Sequence, residues 1–145
     1  MKRSEQPKDS EVAIELDITP LARAISSLEV GLVQQAQAPD NDLLRDGCIQ
    51  RFEFVYELSH KMLKRYLKSI SANPAEVEAL TFPDLIRTGS ERGLLLNDWS
   101  RWKGYRAARS ITSHTYDEKK AREAFAVIPD FLSEARYLFE RLAAE

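Results

Sequence analysis

Residues 109–116 read Arg-Ser-Ile-Thr-Ser-His-Thr-Tyr, and His114 is one of only 2 histidines in the chain. An imidazole moves protons near neutral pH, and a phenol hydroxyl can donate a proton or accept a group. A guanidinium is a permanently charged fork that fits phosphate oxygens. Arg109, His114 and Tyr116 are therefore the candidates for proton and phosphate chemistry. On a continuous helix, five steps of roughly 100° set Arg109 and His114 about 140° apart, so they would not converge. Convergence requires a helix break near His114, or a second copy of the chain facing the first. On spacing alone a polar helix junction is the favoured reading of the pair.

Other chemistries find little support. Zinc sites need clustered His and Cys ligands, whereas His60 and His114 are far apart in sequence and Cys48 is the only cysteine. No glycine-rich phosphate loop precedes a helix, and no cofactor or metal is expected. The abundant carboxylates pair in no evident pattern. His60, in Glu-Leu-Ser-His-Lys, reads as a surface or satisfied structural residue. Cys48 excludes an intrachain disulfide, fits a reducing compartment, and otherwise reads as a small buried hydrophobe.

Helical periodicity supplies the elements that must position these groups. Thr19 and Pro20 open a first helix with Leu21, Ile25, Leu28 and Leu32 on one stripe, ended near Pro39. A long second helix, about 42–71, carries Ile49, Phe52, Tyr56, Ser59, Leu63, Tyr66 and Ile70 on one face. Lys61, Lys64, Arg65 and Lys68 lie on its other face, where cations complement the negative end of the helix dipole. One or two short helices follow from Asn73–Pro74 and Thr81, with Gly93 as a stop. The next helix starts near Asn97 or Asp98 and turns Trp99, Trp102 and Tyr105 inward. The last helix is capped by Thr115, through a capping box with Glu118, or by Asp117. Its core positions are Ala121, Phe125, Ile128, Leu132, Ala135, Phe139 and Leu142, with a kink expected at Pro129. No stretch alternates like a strand. The expected fold is all-α: an up-and-down bundle of four main helices plus a short helix.

The 145 residues suit one domain, here 13–145, behind a disordered charged leader at 1–12. With 43% hydrophobic and 30% charged residues, and only 5 glycines and 6 prolines, the composition is that of a helical globular protein. No apolar run is long enough to cross a membrane and no signal peptide is visible, so a soluble cytoplasmic protein is expected. The net charge of −2 gives no global attraction for nucleic acid, so RNA contact requires a local basic patch. Arg101, Lys103 and Arg106, with Trp102 and Tyr105 among them, are one candidate for guiding single-stranded RNA; a Trp-packed helix with a charged outer face is the other reading.

Arg-x4-His-x-Tyr at 109–116 resembles the signature of HEPN domains, small helical proteins that dimerise. The resemblance extends to Cys-Ile-Gln-Arg-Phe-Glu-Phe-Val-Tyr-Glu-Leu-Ser-His-Lys-Met-Leu-Lys-Arg-Tyr-Leu at 48–67 and to the segment 92–121, from Arg-Gly-Leu-Leu-Leu-Asn-Asp-Trp to Tyr-Asp-Glu-Lys-Lys-Ala. In all it spans roughly 17–143. The most similar subfamily is that of the nucleotidyltransferase substrate-binding proteins.

This resemblance implies a HEPN-like homodimer with the signature at a cleft near its axis. It also implies a partner, a minimal nucleotidyltransferase encoded adjacently, the two forming a toxin–antitoxin pair. Carried over by position, the resemblance implies that Arg109 and His114 carry the metal-independent endoribonuclease activity of active members. Tyr116 is likewise implied to be their modification site, where the partner attaches AMP to silence the toxin. Ser110 stands where Asn is common, a shorter supporting group without the amide's paired donors. The alternative reading is a non-catalytic subunit that presents a nucleotide or other substrate to the transferase.

Overall fold

The computed structural model describes residues 16–145, and within them every regular element is helical. The expected leader at 1–12 and residues 13–15 lie outside the described residues. The elements are α1 (Thr19–Gln37), α2 (Asp42–Ile70), α3 (Pro74–Glu78), α4 (Phe82–Glu91), α5 (Trp99–Ser110), a 3-10 turn (Thr112–His114) and α6 (Glu118–Ala144). Two short helices, not one, separate α2 from α5. Asn73 stands at the N-cap of α3, and the Thr81 hydroxyl caps α4 by accepting from Asp84 N–H at 3.3 Å. Gly93 takes φ +74°, the left-handed backbone that favours glycine just beyond a helix end.

Helix starts follow local chemistry, with one departure from the sequence expectation and one choice between its two candidates. Thr19 does not cap α1: it is the first helical residue, Ile18 holds the cap position, and Asp17 accepts the Thr19 N–H at 3.0 Å. Asp117, not Thr115, caps α6, accepting from the N–H groups of Lys119 at 3.0 Å and Lys120 at 3.3 Å. An ionised carboxylate is the better acceptor at the positive end of a helix. Asn41 and Asp98 cap α2 and α5 in the same way. Helix α6 continues through Pro129.

The core forms where the apolar stripes meet. Ile49, Phe52, Val55, Tyr56, Met62, Leu63 and Leu67 of α2 are buried, as are Leu21, Ile25 and Leu28 of α1 and Ala121, Ile128, Leu132 and Ala135 of α6. Its centre is aromatic. Phe131 meets Phe52 at 5.2 Å, Tyr105 at 5.1 Å and Trp102 at 5.6 Å between ring centres, all near edge-to-face. That arrangement suits the ring quadrupoles. Phe131 lies beside the expected stripe of α6, because a helix enclosed on several sides buries a wider arc that also takes in Ala124 and Leu138.

Polar anchors fix the ends near residues 109–116. Arg45 is buried and bonds Glu118 at 2.7 Å and Asp46 at 3.0 Å, tying the start of α2 to the start of α6. Glu134 of α6 is also buried. Its carboxylate accepts from Leu96 N–H at 2.7 Å, Asn97 N–H at 3.1 Å and the Asn97 amide at 2.9 Å, fixing the loop before α5. Among the described residues no helix is long and apolar enough to cross a membrane.

Candidate functional site

The helix break occurs where Arg109 needs it. Helix α5 ends at Ser110, the backbone turns at Ile111, and the 3-10 turn carries His114. Arg109 occupies the last turn of α5, and the 140° separation of a continuous helix does not apply. The break does not bring Arg109 to His114 within this chain: each is engaged elsewhere.

Arg109 is held by α2. Its Nε donates to Glu57 at 2.9 Å, Nη2 lies 3.0 Å from Glu53, and Nη1 donates to the Thr112 hydroxyl at 3.3 Å. Glu53 and Glu57 are one helical turn apart on one face, so both reach the same guanidinium. The other Glu57 oxygen lies 3.2 Å from His60 Nε2. Burial pushes the Glu57 carboxyl up, but the Arg109 hydrogen bond and the neighbouring His60 and Arg109 charges hold it below its ordinary value overall. Burial pushes His60 below the usual histidine range, against the attraction of Glu57. His60 therefore belongs to a continuous His60–Glu57–Arg109 network. The sequence held a signal for it: Glu53, Glu57 and His60 recur at helical spacing on the helix that faces Arg109. Only the packing of α5 on α2 shows which of the many carboxylates are used.

His114 pairs with Tyr116 across the turn. Its Nδ1 lies 3.0 Å from the Tyr116 hydroxyl, and the rings meet near edge-on at 5.7 Å. Tyr116 is 84% exposed, so its hydroxyl is open to a reagent from solvent. Ser110 is exposed and donates to the Ala107 carbonyl at 2.6 Å, so its hydroxyl supports neither Arg109 nor His114.

The basic-aromatic mixture on α5 is only partly available. Trp102 and Tyr105 are core residues, and the Tyr105 hydroxyl donates to Asp130 at 2.6 Å. Arg101 pairs with the same carboxylate at 2.7 Å. Neither ring can stack a base, which decides between the two readings in favour of the Trp-packed helix with a charged outer face. Lys103 and Arg106 remain exposed.

Beside the site, α2 presents an apolar face to solvent. Leu43 and Phe54 are 83% and 61% exposed. Phe54 joins Pro20, Ala24, Arg23, Glu53 and Glu57 around a groove of about 660 Å³ between α1 and α2. A second depression, of about 440 Å³, runs from Leu43 and Gly47 to Thr112 and Thr115.

Comparison with known proteins adds three findings. The family model described as "Nucleotidyltransferase substrate binding protein like" matches residues 16–144. A curated relative from Haemophilus influenzae, named "Probable ribonuclease HepT", is 43% identical over 135 residues, covering 88% of this chain and 92% of the relative. A solved structure from Haemophilus influenzae, described as the fold of a substrate-binding domain of a nucleotidyltransferase, superposes with a TM-score of 0.81 at 41% identity. That match covers 88% of this chain and 99% of the other.

Proposed function

Since this chain belongs to the nucleotidyltransferase substrate-binding-protein-like family, we propose that it is a metal-independent endoribonuclease acting through Arg109 and His114 and silenced by AMP on Tyr116. The observation that carries this reading is the 3.0 Å contact of half-buried His114 with exposed Tyr116, on the turn that follows the end of α5 where Arg109 sits. It puts a proton carrier, a phosphate-binding cation and an accessible acceptor hydroxyl within one small region. The relative's name, a probable ribonuclease, agrees.

In this reading a base removes the ribose 2′-OH proton, and the 2′-oxygen attacks phosphorus. The bond from phosphorus to the 5′-oxygen breaks, and an acid protonates that oxygen. The products are a 2′,3′-cyclic phosphate and a 5′-hydroxyl. Arg109 stabilises the charge that develops on the phosphoryl oxygens, for which a guanidinium fork is suited. His114 exchanges the protons. In a homodimer, two His114 side chains supply one base and one acid. The exposed Leu43–Phe54 face beside the site supports that dimer, because an apolar face rimmed by polar groups is best covered by a second copy.

The partner is a nucleotidyltransferase that uses ATP. The Tyr116 oxygen attacks the α-phosphorus, pyrophosphate leaves, and the hydroxyl proton is lost to solvent or to His114. The product carries a bulky anion on the atom that faced His114. It blocks the cleft and repels RNA phosphates.

A second reading, a non-catalytic subunit presenting substrate to the transferase, has an observation in its favour: Arg109 is already neutralised by Glu53 and Glu57 within the chain. One experiment separates the two. The purified chain is incubated with RNA in EDTA, beside Arg109→Ala and His114→Ala. Cleavage by the wild type alone supports the ribonuclease; no cleavage by any of the three favours the substrate-presenting subunit. Incubation with the partner and ATP should add the mass of AMP to the wild type and not to Tyr116→Phe.

A further inference from the structure

Past Glu57, the exposed side of α2 turns from acidic to basic. Lys61 and Arg65 are exposed one turn apart, with Lys64 and Lys68 beside them, and all four line a shallow depression with Glu78 of α3. Glu78 is shared by two of them, at 3.0 Å from Lys64 and 2.7 Å from Lys68. Among the described residues no carboxylate pairs with Lys61 or Arg65. Four cations thus face one acid, in a chain whose net charge is −2. Arg106 of α5 extends the strip towards Arg109. Its guanidinium sits 5.0 Å over the Phe82 ring, whose edge-on neighbour at 5.3 Å is His60.

The helix dipole does not account for this strip. Its effect fades within the last turn, and only Lys68 lies there. Lys61 is about 13 Å of helix rise from Ile70. A protein partner fits the surface poorly, since protein interfaces centre on buried apolar or aromatic anchors. The large exposed apolar residues, Val30, Val33, Leu43, Phe54, Leu96 and Tyr116, all lie outside this half of α2. An extended polyanion fits it well. The strip begins one turn from the residues that hold Arg109 and continues along the same helix.

We propose that Arg106, Lys61, Lys64, Arg65 and Lys68 form a track for the flank of the RNA strand whose scissile phosphate lies at Arg109. This inference rests on the ribonuclease reading and extends it. The track grips phosphates, so it sets affinity and minimum substrate length without reading sequence.

The test uses the full chain carrying His114→Ala, so that bound RNA survives, and a fluorescent single strand of mixed sequence. Binding is measured over a range of salt concentrations with and without Lys61→Gln/Arg65→Gln. A second background carries Arg122→Gln/Arg136→Gln, an equal charge change on α6. Losing two phosphate contacts should lower the slope of log affinity against log salt by about 1.4 and weaken binding on the order of tenfold near physiological salt. The α6 pair should leave the slope unchanged. In the wild-type background, the α2 pair should slow cleavage of long RNAs more than of the shortest substrates.

Equal effects from the two pairs would reduce the strip to bulk charge and overturn the track. So would an unchanged slope in a chain that still cleaves RNA, which leaves the ribonuclease reading standing. Unchanged RNA binding with lost capture of the nucleotidyltransferase would assign the strip to that partner instead. If the wild type neither binds nor cleaves RNA, it is the ribonuclease reading that fails first, and the EDTA assay reports that separately.

Discussion

Arg109 is fixed by Glu57 before any substrate arrives: the guanidinium Nε donates to the carboxylate at 2.9 Å, and Glu53 closes the fork from one turn away at 3.0 Å. Such a clamp aims the cation and also offsets its charge. In the proposed ribonuclease an incoming phosphate competes with two carboxylates for the same donors, and the geometry that remains after that competition decides how well Arg109 works.

In the proposed ribonuclease Glu57 is a positioning residue, through its hold on Arg109. Glu57→Ala should lower kcat for RNA cleavage by roughly 10- to 100-fold, the scale expected when a catalytic group moves by about an ångström. Glu57→Gln keeps an acceptor for the Arg109 Nε and should recover most of that loss. KM should change little in either. Equal kcat in Glu57→Ala and wild type would show that Arg109 needs no such support.

Arg109→Ala should remain folded. Its ion pairs are about one-third exposed, and such pairs contribute about 1 kcal/mol or less. Thermal melts of the variant should show one cooperative transition close to that of the wild type. Lost cleavage then reports chemistry. A collapse of the transition would mean that the network, not the reaction, depends on this arginine.

Much of this arrangement was legible in the sequence, and the remainder was hidden for identifiable reasons. The stripes of α1 and α2, the Asn73 and Asp98 starts and the break before α6 follow from local periodicity and capping. The partners of Arg109 did not follow. Glu53 and Glu57 look like any carboxylates on a charged helix until Arg109 reaches them, and His60, a surface or satisfied structural residue by its sequence, proves to be the latter through Glu57. Trp102 and Tyr105 likewise left two readings open. Aromatic residues interleaved with cations suit either an RNA platform or a packed helix, and only burial decides between them.

The same network makes stability sensitive to mild acid. The folded His60 has a lowered pKa, so below its ordinary value of 6.5 the unfolded chain binds more protons than the folded one. The contribution of the neutral buried ring is complete above about 6.5 and is lost as pH falls towards the lower folded value. Glu57, also lowered in the fold, adds loss of the same sign at lower pH, beginning below its ordinary 4.5. Melting temperature should decline between pH 7.5 and 5.0, and His60→Gln, which keeps a donor for Glu57, should flatten that decline. Parallel profiles for wild type and variant would remove His60 as the cause.

Two buried polar groups on the core helices should respond to substitution in opposite ways. The Ser59 hydroxyl is buried without a hydrogen-bond partner, so Ser59→Ala removes an uncompensated group and should be neutral or stabilising in urea unfolding. Glu134 is equally buried, but three N–H donors of residues 96 and 97 end on its carboxylate. Glu134→Ala strands those donors and frees the loop that starts α5. It should cost about 3 kcal/mol, in the range for breaking a buried, hydrogen-bonded charge. Because α5 carries Arg109 at its far end, the loss should also reach the site: cleavage should fall by more than the unfolded fraction explains. Glu134→Gln, which keeps two acceptor lone pairs but also brings an N–H₂ against backbone donors, should fall between. A Glu134→Ala chain as stable as wild type would mean that the loop at 92–98 is held by its apolar contacts through Leu94 and Leu95 alone.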